Sequence, residues 1–220
     1  MRPPDTADLE ALLDAYAPLS PVPSCPSIRA FSANSLVVIW QAAERVAGRV
    51  LPSPFWAFPW PAGIALARAM FDDPAIVRGR TVLDAGAGGG VSCFAAAVCG
   101  AARVIACDTD PWALAVTRLG ASRQQLAVDV IEADITTDGG VIDGIDVVLC
   151  GDLAYDRGTA AGERAAIERA VERGAVALIA DAGRTYFDAS GLEPVAEYTI
   201  DVVADLEGCD RKTARVYVMR

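Results

Sequence analysis

Histidine is absent from this chain of 220 residues, and Lys212 is the only lysine among its 19 Lys and Arg residues. Without histidine, the chain has no Ser-His-Asp triad, no imidazole general base and no histidine-ligated metal. The six cysteines include no C-x-x-C pair, so we predict neither a zinc site nor a redox motif and expect no bound metal. Proton transfer must therefore use carboxylates, tyrosine, cysteine, the lysine or water. The preference for arginine is typical of a GC-rich bacterial genome.

Basic charge is also scarce, because 29 Asp and Glu residues outnumber the 19 Lys and Arg residues and leave a net charge of −10. This balance argues against binding to the phosphate backbone of nucleic acids. It is compatible with a basic substrate, although acidity also serves solubility. We find no run of ~18 uncharged apolar residues that would form a membrane helix, and no signal peptide. We therefore expect a cytoplasmic monomer with reduced thiols that binds neither nucleic acid nor membrane.

Short apolar runs alternate with helical stretches from residue 80 onward. The runs predict strands at 81–85, 103–107, 127–131, 145–150 and 175–180. Between them, helices are predicted near 91–99, 111–122 and 160–173. Strands separated by helices indicate a parallel sheet that is covered on both faces. The strand-like segments 195–203 and 213–219 predict an antiparallel hairpin at one edge of that sheet.

The first 60 residues follow a different pattern. The predicted elements are a helix at 6–16, a proline-rich loop from Pro18 to Pro26, and a helix from Ser35 to about Ala47 that stops at Gly48. Four prolines exclude a regular helix from Leu51–Pro61 and leave a stiff, aromatic-rich segment. Pro61 suits the first position of a helix that runs to about Phe71. We expect residues 1–60 to form a helical cap on one core domain of residues 61–220.

A glycine-rich loop, T-V-L-D-A-G-A-G-G-G at Thr81–Gly90, carries the strongest functional signal. Asp84 ends a strand, and glycines such as Gly86 and Gly88 allow a ligand to approach the backbone closely. The loop has no lysine, which excludes a nucleotide-triphosphate loop, and Val91 departs from the G-x-G-x-x-G/A pattern of dinucleotide sites. An acidic side chain here repels a pyrophosphate and attracts an ammonium. We therefore predict S-adenosylmethionine as the cofactor.

Acidic residues also end the next two predicted strands. Asp108 stands where a carboxylate accepts both hydroxyls of a ribose. Thr109 and Trp112 follow it and are expected to pack against the adenine. Asp134 is placed to accept the adenine amino group. Three acids at successive strand ends predict an adenosine site.

These motifs resemble a known family. V-L-D-A-G-A-G-G-G together with A-C-D-T-D is similar to the seven-strand (class I) S-adenosylmethionine-dependent methyltransferases. Three further elements resemble the subgroup that methylates lysine in the electron transfer flavoprotein β-subunit: W-A-F-P-W-P-A-G at Trp56–Gly63, G-D-L-A-Y-D at Gly151–Asp156 and D-A-G-R at Asp181–Arg184. The resemblance implies an α/β fold with a seven-stranded, mostly parallel, Rossmann-like sheet.

The resemblance also implies an activity and roles for particular residues. The chain is expected to N-methylate a lysine of a protein, such as the electron transfer flavoprotein β-subunit, and to release S-adenosylhomocysteine. Asp152 is expected to attract the lysine ammonium and hold the amine, and Tyr155 to orient it. Trp60, with Trp56 and Phe58, forms an aromatic face for the sulfonium or a cationic substrate. The alternative for this aromatic segment is a hydrophobic staple between the N-terminal cap and the sheet.

The chain departs from the subgroup at positions that affect the substrate more than the cofactor. Ala62 replaces a glycine, Ala154 an aromatic residue and Ala182 a proline, and Gly120 stands where an asparagine is usual. Two other functions therefore stay open. One is N-methylation of a small amine or a nicotinamide-like pyridine. The other is cofactor binding without turnover.

Overall fold

Helices and strands alternate along most of the chain in the computed structural model, which describes residues 4–152, 154 and 156–220 apart from the side chains of residues 204 and 205. The helices are α1 Thr6–Tyr16, α2 Leu36–Ala47, α3 Pro61–Asp72, α4 Val91–Val98, α5 Pro111–Arg123, α6 Ala160–Glu172 and α7 Ala204–Glu207. The strands are β1 Leu19–Val22, β2 Cys25–Phe31, β3 Thr81–Ala85, β4 Arg103–Asp108, β5 Asp129–Glu132, β6 Val147–Gly151, β7 Val176–Asp181, β8 Glu193–Asp201 and β9 Arg211–Met219. Short 3₁₀ turns lie at Phe55–Ala57, Pro74–Ile76 and Gly139–Ile142.

Seven strands form one sheet in the order β5-β4-β3-β6-β7-β9-β8. The first five strands in this order are parallel, and β9 pairs antiparallel with both β7 and β8. In this sheet Ala85 pairs with Cys107 on one side and with Cys150 on the other, so the carboxyl ends of β3, β4 and β6 lie level. The predicted α/β fold with its antiparallel edge hairpin is therefore confirmed.

The two faces of the sheet are covered by different helices, as strands joined by helical crossovers require. On one face α3 and α4 pack over a core that includes Leu66, Phe94, Leu149 and Leu178. On the other face α6 packs over a core that includes Leu83, Val148, Ile167 and Ile179. A third apolar cluster joins α1, α2 and the Phe55–Ala57 turn to α5 and includes Leu13, Phe31, Ile39, Trp56 and Trp112.

The prediction of a loop from Pro18 to Pro26 is wrong. This stretch contains β1 and the start of β2, which pair antiparallel with Leu19 opposite Phe31. A proline has no backbone N–H to donate, so it is tolerated at strand positions where that N–H needs no partner. Pro21 lies in β1 of this two-stranded sheet, and Ser24 in the connecting turn has a φ of 61°. Counting prolines therefore overestimates their power to exclude a strand at a sheet edge.

The predicted helix ends are confirmed where local chemistry sets them. Helix α2 follows Ser35 and ends at Gly48, which has the left-handed backbone (φ 65°) that glycine adopts without strain. Helix α3 begins with Pro61 at its first position. Throughout the described residues, every helix is too short or too polar to cross a lipid bilayer.

Candidate active-site cleft

The carboxyl ends of β3, β4, β5 and β6 open onto one cleft of about 1160 Å³. Strand β4 lies on one side of β3 and β6 on the other, so the chain reverses its direction of progress across the sheet at this point. Ligands of open α/β sheets bind at such crevices. The volume exceeds the roughly 300–1,000 Å³ of ordinary small-molecule pockets. The cleft therefore has room for a nucleoside-sized ligand and a second reactant.

The glycine-rich loop after β3 lines the cleft, and its backbone has conformations and close contacts that favour glycine. Gly86, Gly88 and Gly90 have φ values of 67°, 53° and 87°, in the left-handed region that glycine favours. A Cβ atom on Gly89 would lie only 2.7 Å from the carbonyl oxygen of Trp56. The loop thus lies directly against the aromatic segment, with its bare backbone facing the cleft.

Asp84 lies at the base of this loop and is only 2% exposed. Its Oδ2 accepts a 2.9 Å hydrogen bond from the backbone N–H of Cys93 in α4. Burial raises the pKa of Asp84 to about 7, with a smaller contribution from the neighbouring charge of Asp108 and against the hydrogen bond from Cys93, which lowers it. A cation bound in the cleft would favour the ionised carboxylate. Asp84 can therefore respond to a positively charged ligand near neutral pH.

The other two predicted acids also line the cleft, as does Thr109. Asp108 accepts 2.9 Å hydrogen bonds from the backbone N–H groups of Gly88 and Asp110, and burial raises its pKa. Asp134 accepts bonds from the backbone N–H (2.8 Å) and the hydroxyl (2.6 Å) of Thr136. The structure therefore brings all three acids to one cleft. Two of them, Asp108 and Asp134, also hold the surrounding loops in place through hydrogen bonds.

Trp60 lies in the aromatic wall of the cleft, where its indole N–H donates to the carbonyl oxygen of Phe55 at 2.8 Å. Its ring meets those of Phe55 and Phe58 edge-on, with centroids 5.5 and 6.1 Å apart. The expectation that Trp112 contacts adenine is wrong. Trp112 is 2% exposed and stacks on Trp56 in the core, with centroids 5.7 Å apart. It faces the N-terminal elements because these cover its side of α5.

Asp152 follows β6 and is not a free carboxylate. Its Oδ1 accepts a 2.7 Å bond from Nε of Arg184, and its Oδ2 accepts a 3.2 Å bond from the backbone N–H of Ala62 at the start of α3. Asp152 also has a φ of 55°, a conformation that costs free energy in a residue with a side chain. Its partner Arg184 also donates to Glu207 at 3.1 Å and lies 5.5 Å from the Trp60 ring centroid.

Sequence comparison identifies proteins that this chain resembles. The model of the ribosomal protein L11 methyltransferase (PrmA) family matches residues 70–155. The electron transfer flavoprotein β-subunit lysine methyltransferase of Danio rerio is 38% identical over 138 residues, which cover 62% of this chain and 53% of that protein. The Mus musculus protein of the same name is 32% identical over 171 residues, which cover 74% of this chain and 66% of that one. The chain is similar over these regions to the class I S-adenosylmethionine-dependent methyltransferases.

Solved structures show the same fold at low sequence identity. The precorrin 8w decarboxylase of Methanobacterium thermoautotrophicum superposes with a TM-score of 0.54 at 19% identity, covering 74% of this chain and 93% of that one. The magnesium protoporphyrin IX methyltransferase of Synechocystis PCC 6803, solved with S-adenosylhomocysteine, gives 0.50 at 13%, covering 71% and 80%. The chain spans roughly half to two thirds of the length of the two animal relatives. Those relatives do not support the bacterial source expected from the arginine content.

Two charged residues of the cleft were missed as site residues. Arg184 belongs to the D-A-G-R element, but nothing in the sequence pairs it with Asp152, which precedes it by 32 residues. Glu163 at the start of α6 also lines the cleft, although its place in a charged helix predicts a solvated face. The proposed catalytic residue Tyr155 lies outside the described residues. Among the described residues, no group of three metal-binding side chains occurs.

Proposed function

We propose that this methyltransferase transfers a methyl group from S-adenosylmethionine to the nitrogen of a lysine side chain in a protein. The observation that carries the proposal is the continuity of one cleft, in which three strand-end acids line one end and Asp152 with Arg184 lines the other. Relatives that are 32–38% identical are named as lysine methyltransferases of the electron transfer flavoprotein β-subunit. We propose the same subunit as the first substrate to test.

The residues present fit the cofactor. The bare backbone at Gly86 and Gly88 admits a ligand at close range, and the buried carboxylate of Asp84 suits the ammonium of its methionine part. Asp108, Thr109 and Asp134 all line the cleft, and in this proposal Asp108 holds the ribose and Asp134 the adenine. Bound S-adenosylmethionine supplies the methyl group that is transferred.

The pairing of Asp152 with Arg184 suits an acceptor that must react as a neutral amine. A lysine ammonium has a pKa near ~10.4 in water, and its lone pair is available only after a proton leaves. A carboxylate alone would favour the ammonium form, whereas the adjacent guanidinium opposes it. Asp152 is thereby able to accept a hydrogen bond from the amine while Arg184, which it shares with Glu207, offsets part of its negative charge. The amine proton goes to water, because a carboxylate is too weak a base to keep it.

The remaining contribution of the protein is alignment. The amine nitrogen must lie in line with the methyl carbon and the sulfur, and good alignment lowers such barriers by up to about 7–11 kcal/mol. Asp152 is held from two sides, by Arg184 and by the first turn of α3, so its oxygens have little freedom to move. The Trp60 ring supports the same guanidinium. We propose that Tyr155 completes this end of the site and orients the amine.

We also propose that residues 1–60 act as a cap on a catalytic core of residues 61–220. The support for this division is the apolar cluster that joins α1 and α2 to α5 and to the Phe55–Ala57 turn, beside the cleft. The aromatic segment then has both of the roles considered from the sequence. Trp56 and Trp60 both line the cleft, and Trp56 also stacks on Trp112 within the cluster.

Transfer of tritium from labelled cofactor tests the proposed acceptor. The chain is incubated with purified electron transfer flavoprotein or with cell lysate, and the label is separated into protein and acid-soluble fractions. We expect label on lysine of the flavoprotein β-subunit. The Lys212→Arg variant is run in parallel, because it removes the chain's one lysine and so excludes self-methylation. Label confined to the soluble fraction would favour a small amine or pyridine, and cofactor binding without any transfer would refute an enzymatic role.

A further inference from the structure

The cleft contains a carboxylate that the proposed function does not use. Glu163 lies in the first turns of α6 and lines the same cleft as the three strand-end acids. Its Oε2 atom is buried and has no hydrogen-bond partner among the described residues. A buried acceptor without a donor costs free energy, so each such atom needs an explanation. A ligand that supplies the donor is one such explanation.

The position of Glu163 is set by contacts between α6 and the loop after β5. A Cβ atom on Gly162 would lie 3.4 Å from Cγ2 of Thr136, so the first turns of the helix touch this loop directly. Farther along α6, Arg169 donates to the carbonyl oxygens of Ile135 and Thr136, both at 3.4 Å. Glu163 is therefore held beside the loop that carries Asp134.

The electrostatic environment agrees with this placement. Burial raises the pKa of Glu163, and the charges of Asp134 and Asp156 raise it further, against a hydrogen bond from Thr159 that lowers it. Two carboxylates that repel each other at one end of a cleft are stabilised by a group that donates hydrogen bonds to both. The ligand portion that binds there is expected to carry more than one N–H or O–H donor.

The strand order identifies that portion. Going outward from Asp152 at β6, the sheet presents β3, then β4 with Asp108, then β5, whose following loop carries Asp134. Neighbouring strands lie about 4.8 Å apart, so the two ends of the cleft are separated by about 14 Å. A nucleoside with its ribose at Asp108 would therefore extend its base toward Asp134, and Glu163 lies beside the loop that carries Asp134.

We propose that Glu163 is a second acceptor for the amino group of adenine, beside Asp134, and that it makes the cleft select adenine over a purine with a carbonyl at the same position. The inference rests on the proposed function, because it requires the cofactor to bind in this cleft. An exocyclic amine has two N–H donors, one for each carboxylate. A carbonyl group at the same position of the purine would direct its lone pairs at both carboxylates.

Calorimetry at pH 8 with two ligands separates this role from a structural one. S-adenosylhomocysteine carries the amine, and S-inosylhomocysteine carries a carbonyl in its place. We expect Glu163→Ala to weaken binding of the first at least about 10-fold. Binding of the second is not weakened, because the variant removes one of the two acceptors that repel its carbonyl group. Glu163→Gln lies in between for the first ligand, because its amide keeps one acceptor. Glu168→Gln, on the same helix and paired with Arg164, is the matched control and leaves both affinities unchanged. Melting temperatures confirm that each variant folds.

Two results would overturn the inference while the proposed function stands: equal affinities of wild type and Glu163→Ala for S-adenosylhomocysteine, or equal losses for both ligands. An unchanged cofactor affinity with a raised KM for the protein acceptor would also overturn it and would assign Glu163 to the acceptor. If the wild-type protein binds neither ligand, the proposed function itself fails, and the inference fails with it.

Discussion

The contact between Gly89 and Trp56 provides a sharp test of the cleft as described. A Cβ atom at Gly89 would lie 2.7 Å from the carbonyl oxygen of Trp56 and 3.6 Å from its carbonyl carbon. Both are backbone atoms, so no side chain can rotate away to relieve the clash. The Gly89→Ala substitution must therefore push the glycine-rich loop away from the aromatic segment. Both elements line the cleft, so we expect loss of stability and of cofactor affinity together.

The size of the effect follows from the cost of overpacking. Extra methylenes in well-packed sites cost about 1–3 kcal/mol, and each kcal/mol lowers the melting temperature of a domain this size by about 2–4 °C. Gly89→Ala is therefore expected to melt about 2–12 °C lower and to bind S-adenosylhomocysteine more weakly. Scanning calorimetry and titration calorimetry measure the two effects. Gly139→Ala is the control, because a Cβ there meets no atom within 4 Å. If Gly89→Ala melts and binds like the wild type, the loop and the aromatic segment do not form a rigid wall.

Three further substitutions test separate parts of the site. Because burial raises the pKa of Asp84 to about 7, its charge grows as pH rises from 6 to 8. Affinity for S-adenosylhomocysteine should rise about 3- to 10-fold over that range and stay flat in Asp84→Asn, and a flat wild-type profile in calorimetry contradicts this. Arg184→Gln releases Asp152 and should slow single-turnover methyl transfer about 10- to 100-fold with little change in cofactor affinity; equal losses of rate and affinity count against an acceptor-side role. Trp112→Phe should cost about 1–3 kcal/mol in urea unfolding and leave cofactor affinity unchanged, whereas weaker binding would mean that Trp112 does contact the ligand.

The sheet and the glycine-rich loop were predictable because both depend on patterns within short stretches of chain. Apolar runs at 81–85 and 103–107 are long enough for buried parallel strands, and the acids Asp84 and Asp108 end them. In a parallel sheet the carboxyl ends of the strands meet at one edge, so acids at successive strand ends must lie near each other. This reasoning requires no knowledge of the packing of distant residues.

The errors share a different cause. Pro21 is counted as a strand breaker from sequence, but its missing N–H matters only if a neighbouring strand needs it. Trp112 follows Asp108 closely and is apolar, which makes an adenine contact reasonable until the stacking partner Trp56, distant in sequence, is known. In both cases the outcome depends on which segment covers the residue.

The amino-acid sequence thus determines the order of elements, the ligand-binding edge of the sheet and the acids at the strand ends. It does so because hydrophobic periodicity and turn chemistry act over a few residues. The tertiary structure alone decides the electrostatic state of those acids. Asp152 forms an ion pair with Arg184, and burial shifts the pKa of Asp84. Both effects require atoms from elsewhere in the chain to approach within a few ångströms. Charge interactions and desolvation depend on distance in space, which the linear order of residues does not contain.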